Sequence, residues 1–313
     1  MALPNLLFVV CTNNRFEACN KIVLDLLKQI VISDVENSIR ILIVDNGSTS
    51  KQSDLYKTLS SLSKRITCIN LKYGGLSYAR NMAISLASSN SFIYFLDDDI
   101  RIEGDFVENL IIILRKHNPD FLGGPVHSNF PKKLPKWIKK DWFQRDFTEN
   151  ENYPKRISGG NFGISYRVTE SGYRFDENLG MKKNKIRMGE EKDFLEVYLA
   201  TVVKPRILYT KRLRVWEDFD DTKLRFLYRL RREFAIGYAD HANHKHGVTK
   251  KFYRSYSQIR ISDFRKSFIY ASRSFNMVEE SLMVPGFFNR LISYPLIIAR
   301  LYGLFLRKLR WHA

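Results

Sequence analysis

The chain has 313 residues, of which 44% are hydrophobic and 27% charged, a composition that is typical of a globular protein and excludes a disordered one. Its length predicts one large domain plus an extension, or two modest domains. Lys and Arg outnumber Asp and Glu by 51 to 33, so basic surface patches would attract nucleic acid, anionic lipid headgroups or phosphorylated substrates, and charge alone does not choose among them.

Short apolar segments alternate with segments of helical spacing at the start of the chain. The predicted strands are 6–11, 39–44, 66–71 and 92–96, and the predicted helices between them are 17–30, 54–62 and 74–88. Strands that are apolar throughout and are joined by helices indicate a parallel sheet covered on both faces. The sequence therefore predicts an α/β fold with a Rossmann-like, mostly parallel central sheet.

A group of polar residues follows each of the four predicted strands. These groups are Thr12-Asn13-Asn14-Arg15, Asp45-Asn46-Gly47, Lys72-Tyr73-Gly74-Gly75 and Asp97-Asp98-Asp99. In open parallel sheets the carboxyl ends of the strands share one edge, and ligands bind there. We therefore expect the four groups to gather at a single site.

The acidic group at the end of the fourth strand is the first candidate for chemistry. Three adjacent carboxylates repel one another, so a fold that holds Asp97, Asp98 and Asp99 together must supply a cation. Hard oxygen ligands suit Mg²⁺ or Mn²⁺. Strand alternation would point Asp97 and Asp99 the same way and Asp98 the other way. An acidic surface turn is the alternative interpretation.

The pattern changes after about residue 105. A helix is predicted at 106–117, a strand-like segment at 157–166, a second helix at 190–200, an extended segment at 202–215, and basic helical sequence from 222 onward. We therefore expect a soft boundary near residue 217, between a larger domain and a helical C-terminal extension.

A second pair of acids, Glu190 and Glu191, follows Gly189 at a predicted helix start. A glycine there allows a sharp turn that presents both acids at the positive end of the helix. One of them could accept a proton from an attacking hydroxyl as a general base. Ordinary stabilisation of the helix N-terminus is the alternative reading of the same pattern.

Three further groups have weaker patterns. Arg231 and Arg232 could bind diphosphate oxygens or form a solvated basic face. Trp137 and Trp142, among lysines, could cover an acceptor, touch lipid or lie in a surface loop. The group His241, His244 and His246 could bind metal but fits a polar loop better.

Location is predicted from three features. The three cysteines, Cys11, Cys19 and Cys68, have no zinc spacing and suit reduced, buried thiols in the cytosol. The N-terminus carries no basic leader, so a cleaved signal peptide is not expected. Residues 284–309 are apolar but are interrupted by arginines, a pattern that favours an interfacial helix over a spanning one.

Taken in order, these residues resemble the family 2 glycosyltransferases of the GT-A fold. The resemblance rests on the segments 9–15, 42–49, 75–81, 95–99, 158–161 and 189–191, and it covers roughly residues 5–240. It implies a GT-A catalytic domain at 1–217, with a nucleotide-binding half at about 1–103 and an acceptor half at about 104–217, and a basic helical extension at 218–313.

The resemblance also implies roles for individual residues. Donor contacts are expected from Thr12, Asn14, Arg15, Asp45, Gly47, Ser48, Gly75, Arg80, Asn81, Asp97, Asp98, Arg231 and Arg232; metal contacts from Asp99 and Asp97; and acceptor contacts from Gly159, Gly160, Asn161, Trp137 and Trp142. The base is expected to be Glu191, or else Glu190, although the family usually has Asp at the second position. Where the family often carries a His, this chain has Trp216-Glu217.

The implied reaction is inverting transfer of a sugar from a nucleoside diphosphate, with a UDP-sugar as the expected donor and Mn²⁺ or Mg²⁺ as cofactor. A glycan or lipid-linked acceptor in bacterial surface polysaccharide synthesis is expected, at the inner face of the plasma membrane and without nucleic acid. Two alternatives are a metal-dependent sugar nucleotidyltransferase, which the glycine-free segment 12–15 disfavours, and a non-enzymatic basic module that binds membrane or nucleic acid.

Overall fold

The structure is a computed structural model that describes residues 4–32, 38–72, 74–130, 133–146, 157–182, 185–242 and 293–303. The side chains of residues 240–242 lie outside this description. The predicted group of histidines therefore falls outside the described residues, as do parts of the loop after residue 130 and most of the segment 284–309.

Within the described residues, ten strands form two sheets. They are β1 (Asn5–Thr12), β2 (Ile39–Asp45), β3 (Ile66–Asn70), β4 (Ser91–Asp97), β5 (Ile100–Ile102), β6 (Phe121–Gly123), β7 (Val126–Asn129), β8 (Asn161–Ile164), β9 (Ile207–Tyr209) and β10 (Val215–Asp218). The larger sheet has the order β3-β2-β1-β4-β8-β6-β9. Its first four strands are parallel, and β8 is antiparallel to both of its neighbours.

Helices cover both faces of the larger sheet. They are α1 (Phe16–Ile32), α2 (Ser50–Ser60), α3 (Leu76–Leu86), α4 (Phe106–His117), α5 (Tyr166–Glu170), α6 (Glu190–Thr201) and α7 (Phe226–Ala242), followed by a helix at 293–303 that we name α8. Residues of α1, α2 and α4 pack on one face, and residues of α3 and α6 pack on the other. The α/β fold with a mostly parallel sheet is confirmed.

The alternation of side chains along β1 shows how the sheet separates two cores. Phe8 and Val10 lie in the core beneath α1 and α4, whereas Val9 lies in the core beneath α3. All three are fully buried, as expected when successive side chains of a strand point to opposite faces and both faces are covered.

The smaller sheet, in the order β5-β10-β7, brings the end of the larger domain back to the acidic turn. Its central strand pairs with β5, which directly follows Asp97–Asp99, and the amide of Asp218 donates to the carbonyl oxygen of Asp99 at 2.8 Å. This pairing places Glu217 beside the three aspartates.

The region from 202 onward differs in detail from the expectation. One extended segment is predicted at 202–215, but the structure has the short strand β9, a 3-10 turn at Lys211–Leu213 and then β10, which extends to Asp218. The proposed boundary at 217 stays a prediction, because residues beyond it line the same cavity as residues before it.

Among the described helices, none combines the length and the apolar character that crossing a bilayer requires.

Candidate active site

A cavity of about 670 Å³ lies at the carboxyl edge of the larger sheet. Side chains from the ends of β1, β2 and β4 line it, as do the start of α6 and the region between β10 and the middle of α7. The predicted site residues in its lining are Thr12, Asn14, Arg15, Gly47, Arg80, Asp97, Asp98, Asp99, Gly159, Gly160, Glu190, Glu191 and Arg232. Lys72 and Gly74, which follow β3, also line the cavity, so the expected gathering of the four strand ends is observed.

Arg15 holds two of the three aspartates. Its guanidinium donates to Asp98 at 2.7 Å and to Asp99 at 3.0 Å, and Asp98 also accepts a hydrogen bond from Thr12 at 2.8 Å. Burial raises the pKa of Asp98 to about 7, although Arg15 opposes the shift. Asp98 is therefore an internal hydrogen-bonding group that fixes the turn.

Asp97 has a different environment from its two neighbours. Its half-buried side chain lies 3.6 Å from the guanidinium of Arg80, and the backbone of Gly160 comes so near that a Cβ there would lie 2.8 Å from its carboxylate. Burial raises the pKa of Asp97, and the charge of Arg80 opposes the rise. The predicted alternation is wrong, because β4 ends at Asp97 and the next two aspartates share Arg15 in a turn.

The donor atoms of Asp97 and Asp99 fit a divalent cation of the Mg²⁺ type. Such ions bind through one or two carboxylates and complete their coordination with water and substrate phosphates. Within the described residues no three His, Cys, Asp or Glu side chains form a ready-made metal group, so the protein alone supplies a partial ligand set. Asp99 also accepts a hydrogen bond from Lys223 at 3.1 Å, and an ion bound there would share or displace that contact.

Glu217 connects two further cations to the acidic turn. It accepts hydrogen bonds from Arg145 at 2.9 Å and from Lys223 at 2.6 Å. Burial alone would raise the pKa of Glu217, but the charges of Arg145 and Lys223 outweigh it and lower this pKa to about 2. A charged glutamate thus occupies the position at which the family often carries a His.

Arg80 joins the two acidic groups of the cavity. Its guanidinium, 2% exposed, donates to Glu190 at 2.9 Å and to the carbonyl oxygen of Gly159 at 2.7 Å, and it lies over the rings of Phe95, Phe162 and Phe175. Burial and the charge of Glu191 raise the pKa of Glu190 to about 8, against the opposing charge of Arg80. The position of Glu190 is therefore fixed by an ion pair.

Glu191 is the more accessible acid of the pair. It is half-buried, and its carboxyl carbon would lie 3.1 Å from a Cβ built on Gly159, in the wall of the cavity. Gly189 allows this arrangement, since its φ of 91° lies in the left-handed region and a Cβ there would also meet Ala239 of α7 at 2.8 Å. Glu190 is held by Arg80, whereas Glu191 is the more accessible acid in the cavity wall, so the two acids can serve different roles.

Comparison with known proteins decides the family. The sequence pattern of the family described as Glycosyl transferase family 2 matches residues 7–170, which is more than half of the chain. The chain belongs to this family. Membership confirms the predicted class, a glycosyltransferase. The matched residues include β2, β3, β4 and all of β1 except its first two residues.

Two curated relatives match shorter stretches of the chain. The chain is 33% identical to Glycosyltransferase GlyA of Streptococcus pneumoniae over 98 residues, which is 31% of this chain and 14% of GlyA. It is 25% identical to the succinoglycan biosynthesis protein ExoM of Rhizobium meliloti over 137 residues, 43% of this chain and 42% of ExoM. These matches span less than half of either relative.

Solved glycosyltransferase structures share the fold. The mannosyltransferase PcManGT from Pyrobaculum calidifontis, in complex with GDP-Man and Mn²⁺, aligns with a TM-score of 0.59 over 97% of this chain and 88% of its own. Residues 1–349 of TarS from S. aureus, with UDP-GlcNAc, align with a TM-score of 0.52 over 96% and 90%. Both are 12% identical to this chain, so the likeness concerns the GT-A fold.

Several residues that the family resemblance placed at the donor lie behind the cavity wall. The buried carboxylate of Asp45 accepts hydrogen bonds from the Ser48 amide at 3.0 Å and from the side chains of Ser53 and Asn70. The amide of Asn14 in turn donates to the Ser48 hydroxyl at 2.7 Å. Asp45 and Ser48 therefore shape the turn that presents Asn14 and Gly47, and their contact with a donor stays a prediction.

Gly75, Asn81 and Asn161 also lie outside the cavity lining. Gly75 precedes α3 against the backbone of Met181, where a Cβ would lie 3.0 Å from the carbonyl oxygen. The side chain of Asn81 donates to the carbonyl oxygen of Phe175 at 3.0 Å, and that of Asn161 donates to the carbonyl oxygen of Leu213 at 2.7 Å. The expected contacts of these three residues with donor or acceptor stay predictions.

Trp137 and Trp142 pack near the C-terminal helices. Trp137 contacts Phe226 of α7, and the guanidinium of Arg229 lies 4.9 Å from the ring centre of Trp142. Neither tryptophan lines the cavity at the strand ends, and their contact with an acceptor stays a prediction. Arg231, expected at the donor, lines a different cavity.

Sequence analysis missed four basic groups in the lining or did not assign them. These are Lys72, Arg145, Arg187 and Lys223. Lys72 belongs to one of the polar strand-end groups expected at the site, but no role was assigned to it. Arg145 and Lys223 lie in segments where other basic residues surround them, and no local pattern separates them from those neighbours.

Proposed function

We propose that the protein transfers a sugar from a nucleoside diphosphate to an acceptor hydroxyl, with inversion at the anomeric carbon. A UDP-sugar is the expected donor. Support for a nucleotide-sugar comes from family membership and from the ligands named with two structures of the same fold, GDP-Man with Mn²⁺ and UDP-GlcNAc. The cavity of about 670 Å³ has the size of a small-molecule site.

The observation that carries the proposal is the bridge that Arg80 makes between Asp97 and Glu190. Asp97 ends the fourth strand of the nucleotide-binding half, and Glu190 starts the helix that follows the acceptor-side segment. Donor and acceptor machinery therefore meet at one buried guanidinium. A nucleic-acid or membrane module would not require acids from two halves of a fold to converge in this way.

Charge in the cavity suits a leaving diphosphate. Arg15, Arg145, Lys223 and Arg232 line it together with the aspartates, and guanidinium groups bind phosphate oxygens in a fixed planar geometry. In the proposed site Asp97 and Asp99 would hold the divalent cation, and the ion would supply positive charge to neutralise the departing diphosphate. The basic residues orient the diphosphate and stabilise it as it departs.

Glu191 is the proposed base. In an inverting transfer the acceptor oxygen forms a bond to the anomeric carbon while the bond to the diphosphate breaks, and the hydroxyl proton passes to a carboxylate. Glu190 is engaged by Arg80, so we assign it the role of positioning that arginine. Glu191 faces the cavity beside Gly159, where an acceptor hydroxyl could approach.

A glycan or lipid-linked acceptor in surface polysaccharide synthesis is proposed, at the inner face of the plasma membrane. The relative ExoM is a succinoglycan biosynthesis protein, which supports the polysaccharide part. The net charge of +18 supports attraction to anionic headgroups.

Turnover with a panel of nucleotide-sugars tests the reaction. The purified chain is incubated with each donor, Mn²⁺ and a hydroxyl acceptor, and mass spectrometry identifies the nucleotide product. The proposal expects a nucleoside diphosphate from one donor, with little or none from Glu191→Gln. Release of inorganic pyrophosphate from a nucleoside triphosphate plus a sugar phosphate would instead establish a nucleotidyltransferase.

A further inference from the structure

A second cavity, of about 730 Å³, lies between α7, α8 and residues 178–179 and 185–188. It shares the wall formed by Ile186, Arg187 and Met188 with the cavity at the strand ends. Met188 is followed by Gly189 and the acidic pair, so the shared wall lies next to the proposed base. The volume is within the range of sites that bind small organic molecules.

The second cavity is predominantly apolar. Leu230, Phe234 and Tyr238 recur every fourth residue along one face of α7, and Ala299 and Tyr302 of α8 face them. Side chains spaced by four lie along a single stripe of a helix. A lining of this kind favours a hydrocarbon group over a free sugar or a nucleotide.

Cations are placed around this apolar lining. Lys185, Arg187 and Arg231 contribute to it, and no Asp or Glu belongs to the described lining. The guanidinium of Arg187 donates one hydrogen bond to the carbonyl oxygen of Asn178 at 2.8 Å. Because a guanidinium has five N–H donors, others are available for a phosphate. Apolar walls with several cations and no acid match an amphiphile that carries phosphate.

The two helices that form the cavity are held at a fixed distance. A Cβ on Gly237 would lie 2.0 Å from the carbonyl oxygen of Arg300, and a Cβ on Gly303 would lie 2.2 Å from that of Phe234. Backbone thus contacts backbone where α7 crosses α8. The cavity is therefore a built feature of the fold.

A row of exposed apolar side chains on α8 leads to the cavity. Tyr294, Ile298 and Tyr302 are 41%, 61% and 54% exposed and follow one another at intervals of four. Of these, only Tyr302 belongs to the cavity lining. Tyr302 lines the cavity and Tyr294 does not. Substituting each of them therefore distinguishes binding inside the cavity from adsorption on the outer face of α8.

We propose that this cavity binds the lipid part of a phosphate-bearing lipid acceptor, with Arg187 and Arg231 on its phosphate. The inference rests on the proposed function, since it names the class of acceptor. Arg187 and Met188 border both cavities. An acceptor held there by its chain and phosphate would extend its hydroxyl-bearing end toward Glu191. The occupant is the acceptor substrate and not a bilayer surface.

Calorimetric titration with dodecyl phosphate, below its micelle concentration, tests the inference on the full chain without donor. We expect saturable binding of one molecule per chain. Dodecanol and inorganic phosphate, which each supply half of the proposed recognition, should bind at least about tenfold more weakly. Dodecyltrimethylammonium, which has the same chain and the opposite charge, should not bind at the site.

Two pairs of variants locate the binding. Arg231→Gln and Tyr302→Ala should each weaken the binding of dodecyl phosphate by about tenfold. Their matched controls, Arg225→Gln and Tyr294→Ala, change the same residue types at exposed positions outside the cavity lining and should bind as the unaltered chain does. All four side chains are exposed or largely exposed, and an unchanged Tm verifies that each variant is folded.

Each of the following results would overturn the inference. Equal binding of the cationic amphiphile, or equal losses in Tyr294→Ala and Tyr302→Ala, would show adsorption on a surface. Sedimentation with phosphatidylglycerol vesicles that depends on both tyrosines, without dodecyl phosphate binding, would assign the face to a bilayer.

UDP and GDP with Mn²⁺ are titrated into the same samples. Nucleotide binding without dodecyl phosphate binding would reject the lipid acceptor and leave the proposed function intact.

Discussion

Arg80 and Glu190 form a 2.9 Å ion pair in which both side chains are at most 7% exposed. The same guanidinium lies 3.6 Å from Asp97. The pair therefore connects the strand end that would bind the donor to the helix that would carry the base, and it does so out of contact with water. Loss of Arg80 would leave Glu190 without its cation, and loss of Glu190 would leave the buried guanidinium with Asp97 as a neighbouring acid.

Arg80→Met is expected to destabilise the protein by about 3–5 kcal/mol, the usual cost of breaking a buried ion pair. The substitution keeps an apolar stem on the rings of Phe95 and Phe162 but leaves Glu190 unpaired. Urea unfolding at neutral pH measures the effect. The double variant Arg80→Met/Glu190→Gln should recover part of the lost stability, and strict additivity of the two changes would contradict the pairing.

Replacement of the two acids should separate their roles. Glu191→Gln is expected to lower kcat by about 10²–10⁴-fold with little change in the donor KM, because a general base contributes that much to a transfer step. Glu190→Gln should alter kcat and donor KM together, since it releases Arg80 from its position near Asp97. Steady-state kinetics on both variants checks the assignment, and a larger kcat loss with an unaltered KM in Glu190→Gln would reverse it.

Glu217 should make stability sensitive to acid. Its pKa is lowered from 4.5 to about 2 in the folded chain, so its contribution is complete above pH 4.5 and is lost as the pH falls toward 2. That shift corresponds to about 3 kcal/mol. Glu217→Gln should lose about this much stability at neutral pH and show a flatter decline between pH 4.5 and 2. Equal acid sensitivity in both chains would refute the account.

Contact of α7 with α8 should not tolerate a methyl group. A Cβ on Gly237 would overlap the carbonyl oxygen of Arg300, so Gly237→Ala is expected to displace α8 and expose the apolar side chains beneath it. Increased hydrogen exchange at 293–303 would report the displacement. Gly104→Ala is the matched control, because a Cβ there meets nothing within 4 Å.

The fold was predictable because its main signals are local. β1, β2, β3 and β4 are apolar and five to eight residues long, and α1 and α4 have clear helical spacing. The short strands β6, β7 and β9 have three or four residues and carry no pattern of their own. Their pairing depends on partners that are distant in sequence.

The candidate site was predictable where strand ends carry it and not where long-range contacts do. Asp97–Asp99 and Arg15 follow strands directly, and the topology brings them together. Lys223 reaches Asp99 across 124 positions of the chain, and nothing in its local sequence distinguishes it from other lysines. Sequence also did not separate Glu190 from Glu191, because the difference between them is the ion pair with Arg80.

The central claim is that the cavity at the strand ends binds a nucleoside diphosphate with a divalent cation. A thermal-shift and calorimetry screen of UDP, GDP, dTDP and CMP, each with and without Mn²⁺, tests it most directly. The account predicts that one diphosphate raises the Tm only when Mn²⁺ is present, and that Asp97→Asn and Asp99→Asn lose the effect while Asp54→Asn, at an exposed position on α2, retains it. Absence of stabilisation by every nucleotide, in a chain shown to be folded, would contradict the account.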